Sequence, residues 1–139
     1  MSLRASTIRI PEETRRAIDE TCRRTGRDFS SVANEMLSEA VKMRRIPGIV
    51  FADSPLGRVA RIAGTGIEVF EIAKTYQDVG RDWERLQSTY HWLSPQQLRA
   101  ALAYISAYPE EIEECLMAES HWTPEQVWAR YPFTKPEPS

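Results

Sequence analysis

The rhythm of apolar and polar positions changes several times along this chain. Thr7-Ile8-Arg9-Ile10 alternates, which sets Ile8 and Ile10 on one side of a strand and Thr7 and Arg9 on the other. Pro11 ends that strand and opens a helix whose first turn carries Glu12 and Glu13, where the helix dipole favours negative charge. Ala17, Ile18, Thr21 and Cys22 form its narrow buried stripe, and Gly26 stops it. Ser30 or Ser31 can cap a second helix, with Val32, Ala33, Met36, Leu37, Ala40 and Val41 along one face.

From Arg45 the pattern breaks. Pro47, Gly48, Pro55, Gly57, Gly64 and Gly66 surround two short apolar runs, which predicts a linker and then a hairpin: Ile49-Val50-Phe51 and Arg58 to Ile62 as strands, with 53–57 as the loop. Helical spacing then returns three times. Val69, Ile72, Ala73 and Tyr76 make one stripe ending near Gly80; Asp82 caps a helix carrying Trp83, Leu86 and Tyr90; Ser94-Pro95 starts a third with Leu98, Ala101, Leu102 and Ile105 inward. Compact trihelical units of this kind include helix-turn-helix folds. Trp83 and Trp92 read as core or dimer-contact aromatics.

Composition narrows the function classes. An apolar fraction of 42% is enough to build a core in 139 residues, and no apolar run approaches the roughly 20 residues of a membrane helix. With no charged-then-apolar leader at the start, a soluble, cytoplasmic protein is expected. Cys22 and Cys115 form no C-x-x-C and read as buried thiols, with a disulfide or metal role the alternative; His91 and His121 have no ligand spacing. Gly64-Thr65-Gly66 raises the question of a phosphate loop, but position 69 is Val where a dinucleotide fingerprint needs glycine, and no Lys-Ser or Lys-Thr follows. The Glu110, Glu111, Glu113, Glu114 cluster lacks a nucleophile or His partner, so it reads as a solvated helix face. No enzyme activity, cofactor or metal is expected.

Charge is unevenly placed around a net of -2. Residues 1–46 carry ten basic against seven acidic side chains, and residues 110–139 carry two against seven. The first piece suits a polyanion and the last a basic protein partner, or both are ordinary solvated faces. One short strand and two helices cannot bury their own apolar faces, and a lone strand leaves its backbone groups unpaired. Two copies solve both problems, pairing the strands into an antiparallel ribbon above interlocked helices. The ribbon's outer face then carries Thr7 and Arg9 twice, and such a ribbon fits the major groove, where Arg donates to guanine. The alternative is that Thr7 and Arg9 merely solvate an edge strand.

Through "TIRIPEE", the "TGRDFSS" turn and the apolar spacing of the second helix, residues 4 to about 45 resemble the ribbon-helix-helix (CopG/Arc/MetJ-like) DNA-binding proteins. The resemblance implies base contacts by Thr7 and Arg9, with Arg4 or Ala5 preceding them, and a phosphate held by the amides around Phe29, Ser30 and Ser31. Ala5 departs from the polar residue usual there. Residues 48–114 are similar to a small bacterial and archaeal domain family, itself similar to VapB-type antitoxins with a helix-turn-helix core, through "GTGIEVFEIAK" and the later "LSPQQLRAALAY". Gly66 departs from that family, which commonly has Arg after Gly-Thr. On this resemblance Gly64-Thr65-Gly66 is only the turn from hairpin to helix, its glycines allowing positive φ.

Gln96, Gln97 and Arg99 lie off the apolar stripe at the start of the third helix of that domain, where a recognition helix reads bases, or where a helix is simply solvated. Thr123-Pro124-Glu125 can start a short helix in an acidic tail whose Trp122, Val127, Trp128, Tyr131 and Phe133 either fold back on the domain before it or anchor a partner. The expected fold is thus mainly α with short strands. A ribbon-helix-helix dimerisation module (1–46) precedes a β-hairpin with a trihelical, helix-turn-helix-like domain (47–109), and an acidic, aromatic helix and tail (110–139) follow. The resemblances imply an antitoxin that represses its own operator DNA as a homodimer or higher even oligomer and neutralises a PIN-like ribonuclease toxin. A stand-alone regulator and a dimeric module that binds no DNA are the alternatives.

Overall fold

Glu12–Thr25 forms helix α1 and Phe29–Arg45 helix α2. The chain's computed structural model describes residues 2–55, 57–120, 125 and 136. Pro11 takes the N-cap position of α1, and Gly26 ends the helix in the left-handed conformation at φ 70°, its amide donating to the Cys22 carbonyl at 2.9 Å. Arg27 ties the turn down. Its Nη1 meets Glu35 Oε1 at 2.9 Å.

The chain divides into two units after Lys42, a turn of helix before the composition shift that suggested a boundary at residue 46. The first unit contains α1 and most of α2. Among its described residues only Ile18 and Val32 are buried apolar side chains. Of the stripes read from the sequence, Thr21, Cys22 and Ala33 are half-buried, while Ala17, Met36, Leu37, Ala40 and Val41 face solvent. Residues 7–10, expected as a strand, form none. The reason is pairing: among the described residues the strands of the chain pair only with each other, in a hairpin of the second unit.

That hairpin runs from β1 (Ile49–Ser54) to β2 (Gly57–Ile62), antiparallel, with Ile49 opposite Ile62 and Ser54 opposite Gly57. It is longer, and its turn tighter, than the sequence suggested. Residues 46–48, read as a linker, are built into this unit. Ile46 is buried in the core, and the Gly48 carbonyl accepts from the Ala63 amide at 2.8 Å. Gly48 has φ 97°, and a Cβ there would come within 3.4 Å of Ala100 Cβ.

Then follow α3 (Val69–Asp78), α4 (Trp83–Thr89), α5 (Pro95–Ala107) and α6 (Pro109–Ser120). Asp82 and Ser94 cap α4 and α5 as read from the sequence, accepting from the amides of Arg85 and Gln97 at 3.1 Å each. The core joins Ile49, Ala60 and Ile62 of the hairpin to Val69, Ile72, Leu86, Leu98, Ala101 and Tyr104. α6 belongs to the same body: Ile112 is buried, and Cys115 and Leu116 pack half-buried on the core. Its Glu110, Glu113 and Glu114 are exposed, but Glu111 is half-buried and accepts a hydrogen bond from the Tyr104 hydroxyl. Described residues are thus mainly helical, with one two-stranded hairpin, and no described helix is long and apolar enough to cross a membrane. Both cysteines are free thiols, half-buried.

Leu98→Ala empties a fully buried position at the centre of this unit and is expected to cost about 2–5 kcal/mol in denaturant unfolding. Trp92→Ala, at a side chain 61% exposed, is expected to stay within about 1 kcal/mol.

Candidate functional site

Three stretches from the sequence reading fall on described residues: the N-terminal segment, the start of α2 and the start of α5. In the first, Arg4, Ala5, Thr7 and Arg9 are all exposed, and Ile8 is 62% exposed beside them. Arg4 and Arg9 make no ion pair with a described residue, whereas Arg15, Arg16 and Arg27 pair with Asp19, Glu12 and Glu35. The segment offers free cations and no fixed geometry of its own, because no neighbouring strand sets its register.

At the start of α2, the cap is Asp28 and not Ser30 or Ser31. Its Oδ1 accepts from the Ser31 amide at 2.8 Å, and that bond, with the Ser31 hydroxyl second, holds the Asp28 carboxyl below the usual carboxylate range. The Ser31 amide, expected to meet a phosphate, is therefore already satisfied. The amides of Phe29 and Ser30 have no partner among the described hydrogen bonds. Phe29 is half-buried under the Arg15 guanidinium, whose carbon lies 4.1 Å from the ring centroid. The signal for this cap is in the sequence: aspartate three residues before a serine at a helix start fits N-capping as well as serine does.

In the second unit, Gly64-Thr65-Gly66 turns the chain from β2 to α3. The Thr65 hydroxyl donates to the Ile62 carbonyl at 2.8 Å and accepts from the Ile67 amide at 3.0 Å. Gly64 is left-handed at φ 78°, but Gly66, expected to share that freedom, is not. Thr65 uses both capacities of its hydroxyl inside the loop, which is how a turn is closed. Beyond the turn, Glu68 and Glu71 form a reciprocal cap on α3. Burial pushes the Glu68 carboxyl up and its neighbour Glu71 adds to that, while Arg61, with Nη2 3.6 Å from Oε1, opposes them. The Arg61 Nε is sealed from solvent without a hydrogen-bond partner.

At the start of α5 the three residues read as base contacts separate. Gln97 is spent on the cap: its Oε1 accepts from the Ser94 amide at 2.8 Å, and its own amide donates to Ser94 Oγ at 3.1 Å. It cannot also present that edge to adenine, so it leaves the candidate set. Gln96 and Arg99 are exposed, and the Arg99 guanidinium carbon lies 5.4 Å from the centre of the Trp83 ring. Trp83 is half-buried; Trp92 stands on the surface, edge-on to Tyr90 and His91.

No protein-family model, curated protein or solved structure matches the chain.

Trp122, Val127, Trp128, Tyr131 and Phe133, read as a partner anchor, lie outside the described residues. The sequence reading missed a groove of about 780 Å³ between α3, α5 and α6. Ala73, Leu102, Ile105, Ile112 and Leu116 give it apolar walls. Its signal was a stripe on α5 wider than one buried face requires, since Leu102 and Ile105 are only half-buried. Among the described residues no cluster of His, Cys, Asp and Glu is arranged to hold a metal ion.

Ser94→Ala removes one half of the reciprocal cap on α5 and is expected to lower stability in urea unfolding by about 1 kcal/mol. Gln96→Ala, at the neighbouring exposed position, is expected to stay within about 0.5 kcal/mol.

Proposed function

We propose that this chain is a cytoplasmic DNA-binding antitoxin that dimerises through its first unit and represses its own operator. The observation that carries the reading is the uncovered apolar side of that unit. Ile8, Leu37 and Val41 are 62%, 54% and 48% exposed, against two buried apolar side chains. A second copy of the chain covers α2 and gives the Thr7–Ile10 segment the antiparallel partner its alternation requires. Thr7 and Arg9 from each copy then face the major groove, Arg4 lies toward the phosphates, and the Phe29 and Ser30 amides meet a phosphate at the start of α2. The resemblance to ribbon-helix-helix proteins supports the same arrangement. A helix-turn-helix-like second unit, and a PIN-like ribonuclease as the toxin partner, rest on the resemblance to VapB-type antitoxins alone. The groove on the second unit favours one other reading, a stand-alone regulator whose tail stays on its own domain.

Binding of the full chain to the DNA upstream of its own reading frame, compared with scrambled duplex across a salt series, tests the proposal. Selective binding that falls steeply with salt is expected; equal binding to both duplexes overturns it. Arg9→Ala should lose about 1–3 kcal/mol of base discrimination per copy at unchanged dimer stability. Leu37→Glu should instead yield a monomer that no longer selects the operator, as read by light scattering and the same titration. Asp28→Asn keeps an N-cap but removes a negative charge from the expected phosphate site, so it should tighten binding to any duplex without altering selectivity.

A further inference from the structure

The groove between α3, α5 and α6 has no role in the DNA-binding reading. Its apolar walls meet a polar rim of Gln77 and Arg81 on one side and Glu113 on the other. Arg81 is exposed, has φ 59°, and is the one non-glycine among the described residues in the left-handed region. Gly80 before it is left-handed too, and the pair turns the chain sharply out of α3 beside the groove.

We propose that this groove holds the chain's own C-terminal tail, residues 121–139, by its aromatic side chains. α6 supplies one wall through Pro109, Ile112, Glu113 and Leu116 and ends at Ser120, so the tail begins one helical turn past the wall. The tail holds Trp122, Trp128, Tyr131 and Phe133, including two of the chain's four tryptophans, and its two acidic and two basic side chains balance. It is therefore an apolar segment tethered next to an apolar groove, at an effective concentration on the order of millimolar. It is also long enough. Twelve residues of α6 span about 18 Å, and nineteen residues reach about 28 Å even if fully helical. Trp122-Thr123-Pro124 interrupts the helical pattern after α6, and Thr123-Pro124-Glu125 can start a new helix running back along it. Arg130 and Lys135 then pass the exposed carboxylates of Glu110, Glu113 and Glu114. A partner that takes these rings must first displace them. The inference stands on the second unit alone and is independent of DNA binding.

Nuclear Overhauser contacts in the full chain, between the Trp122 and Trp128 indoles and the methyls of Leu102, Ile105 and Leu116, test it directly. Contacts are expected within one chain, undiminished on dilution. Their absence overturns the proposal. So does their appearance only between differently labelled chains, which assigns the groove to the tail of a second copy. Proteolysis gives a second readout, because Pro136 protects Lys135 and leaves Arg130 as the tail's trypsin site. Leu102→Glu with Ile105→Glu should speed cleavage after Arg130 several-fold. Should that pair unfold the unit, Trp128→Ala with Phe133→Ala, outside the described core, should shift the Ile105 and Leu116 methyls; unmoved methyls overturn the assignment.

Discussion

An antiparallel pair of helices has to cover the inner side of both, and in the first unit α1 is too narrow for α2. Ile18 and Val32 meet at the contact, and everything apolar on α2 beyond Ala33 is left facing water. A domain of about 40 residues with two buried side chains falls short of the burial that independent folding needs. The deficit is directional: Met36, Leu37, Ala40 and Val41 recur at helical spacing, so what covers them must be another elongated surface. The same unit contains a four-residue alternating segment without a partner strand. A two-fold axis meets both demands at once, and on the proposed reading it also doubles every side chain that faces DNA.

The second unit is built the opposite way, around a centre that is already closed. Tyr104 is fully buried, with Phe51 edge-on at 6.2 Å and Tyr108 at 4.8 Å between ring centroids. A buried phenol needs a hydrogen-bond partner, and Glu111 on α6 supplies it. Burial pushes the Tyr104 hydroxyl well above its ordinary pKa, and Glu111 adds to this, so the phenol stays a donor. That bond fixes α6 against α5, and hence the spacing of the groove they line with α3. A cluster of glutamates that reads as solvated thus contributes one member to the architecture.

What was legible in the sequence follows from how local the cause is. Asp82 and Ser94-Pro95 announce helix starts through bonds that close within three residues, and the structure has both. The hairpin was legible because alternation and its turn residues lie within 14 residues, Ile49 to Ile62. The Thr7–Ile10 strand was written in the same alternation, but a strand is a relation between two segments and the single chain supplies one. Residues 46–48 misled for a related reason: Pro47 and Gly48 look like a linker until Ala63 and Ala100 come against them from distant sequence. At the candidate sites, Gln97 and Ser31 were read as free to meet a ligand. Each is held by a capping bond three residues away, a competition that spacing alone could have raised.

The capping of α2 by Asp28 sets two requirements against each other. In the free chain, a carboxylate at a helix N-terminus satisfies an orphan amide and suits the dipole, which stabilises a unit otherwise poor in burial. Toward DNA, the same carboxylate repels the phosphate that the terminus would otherwise attract. Affinity on the proposed reading therefore has to come from elsewhere, and the unit's spare cations are placed for it. Arg15, Arg16 and Arg27 are engaged by carboxylates within the unit, leaving Arg4 and Arg9 on the N-terminal segment uncommitted. Charge that attracts DNA is thereby concentrated on the one segment whose geometry awaits a second copy. Dimerisation and DNA recognition then become a single coupled step, with the apolar face of α2 controlling both.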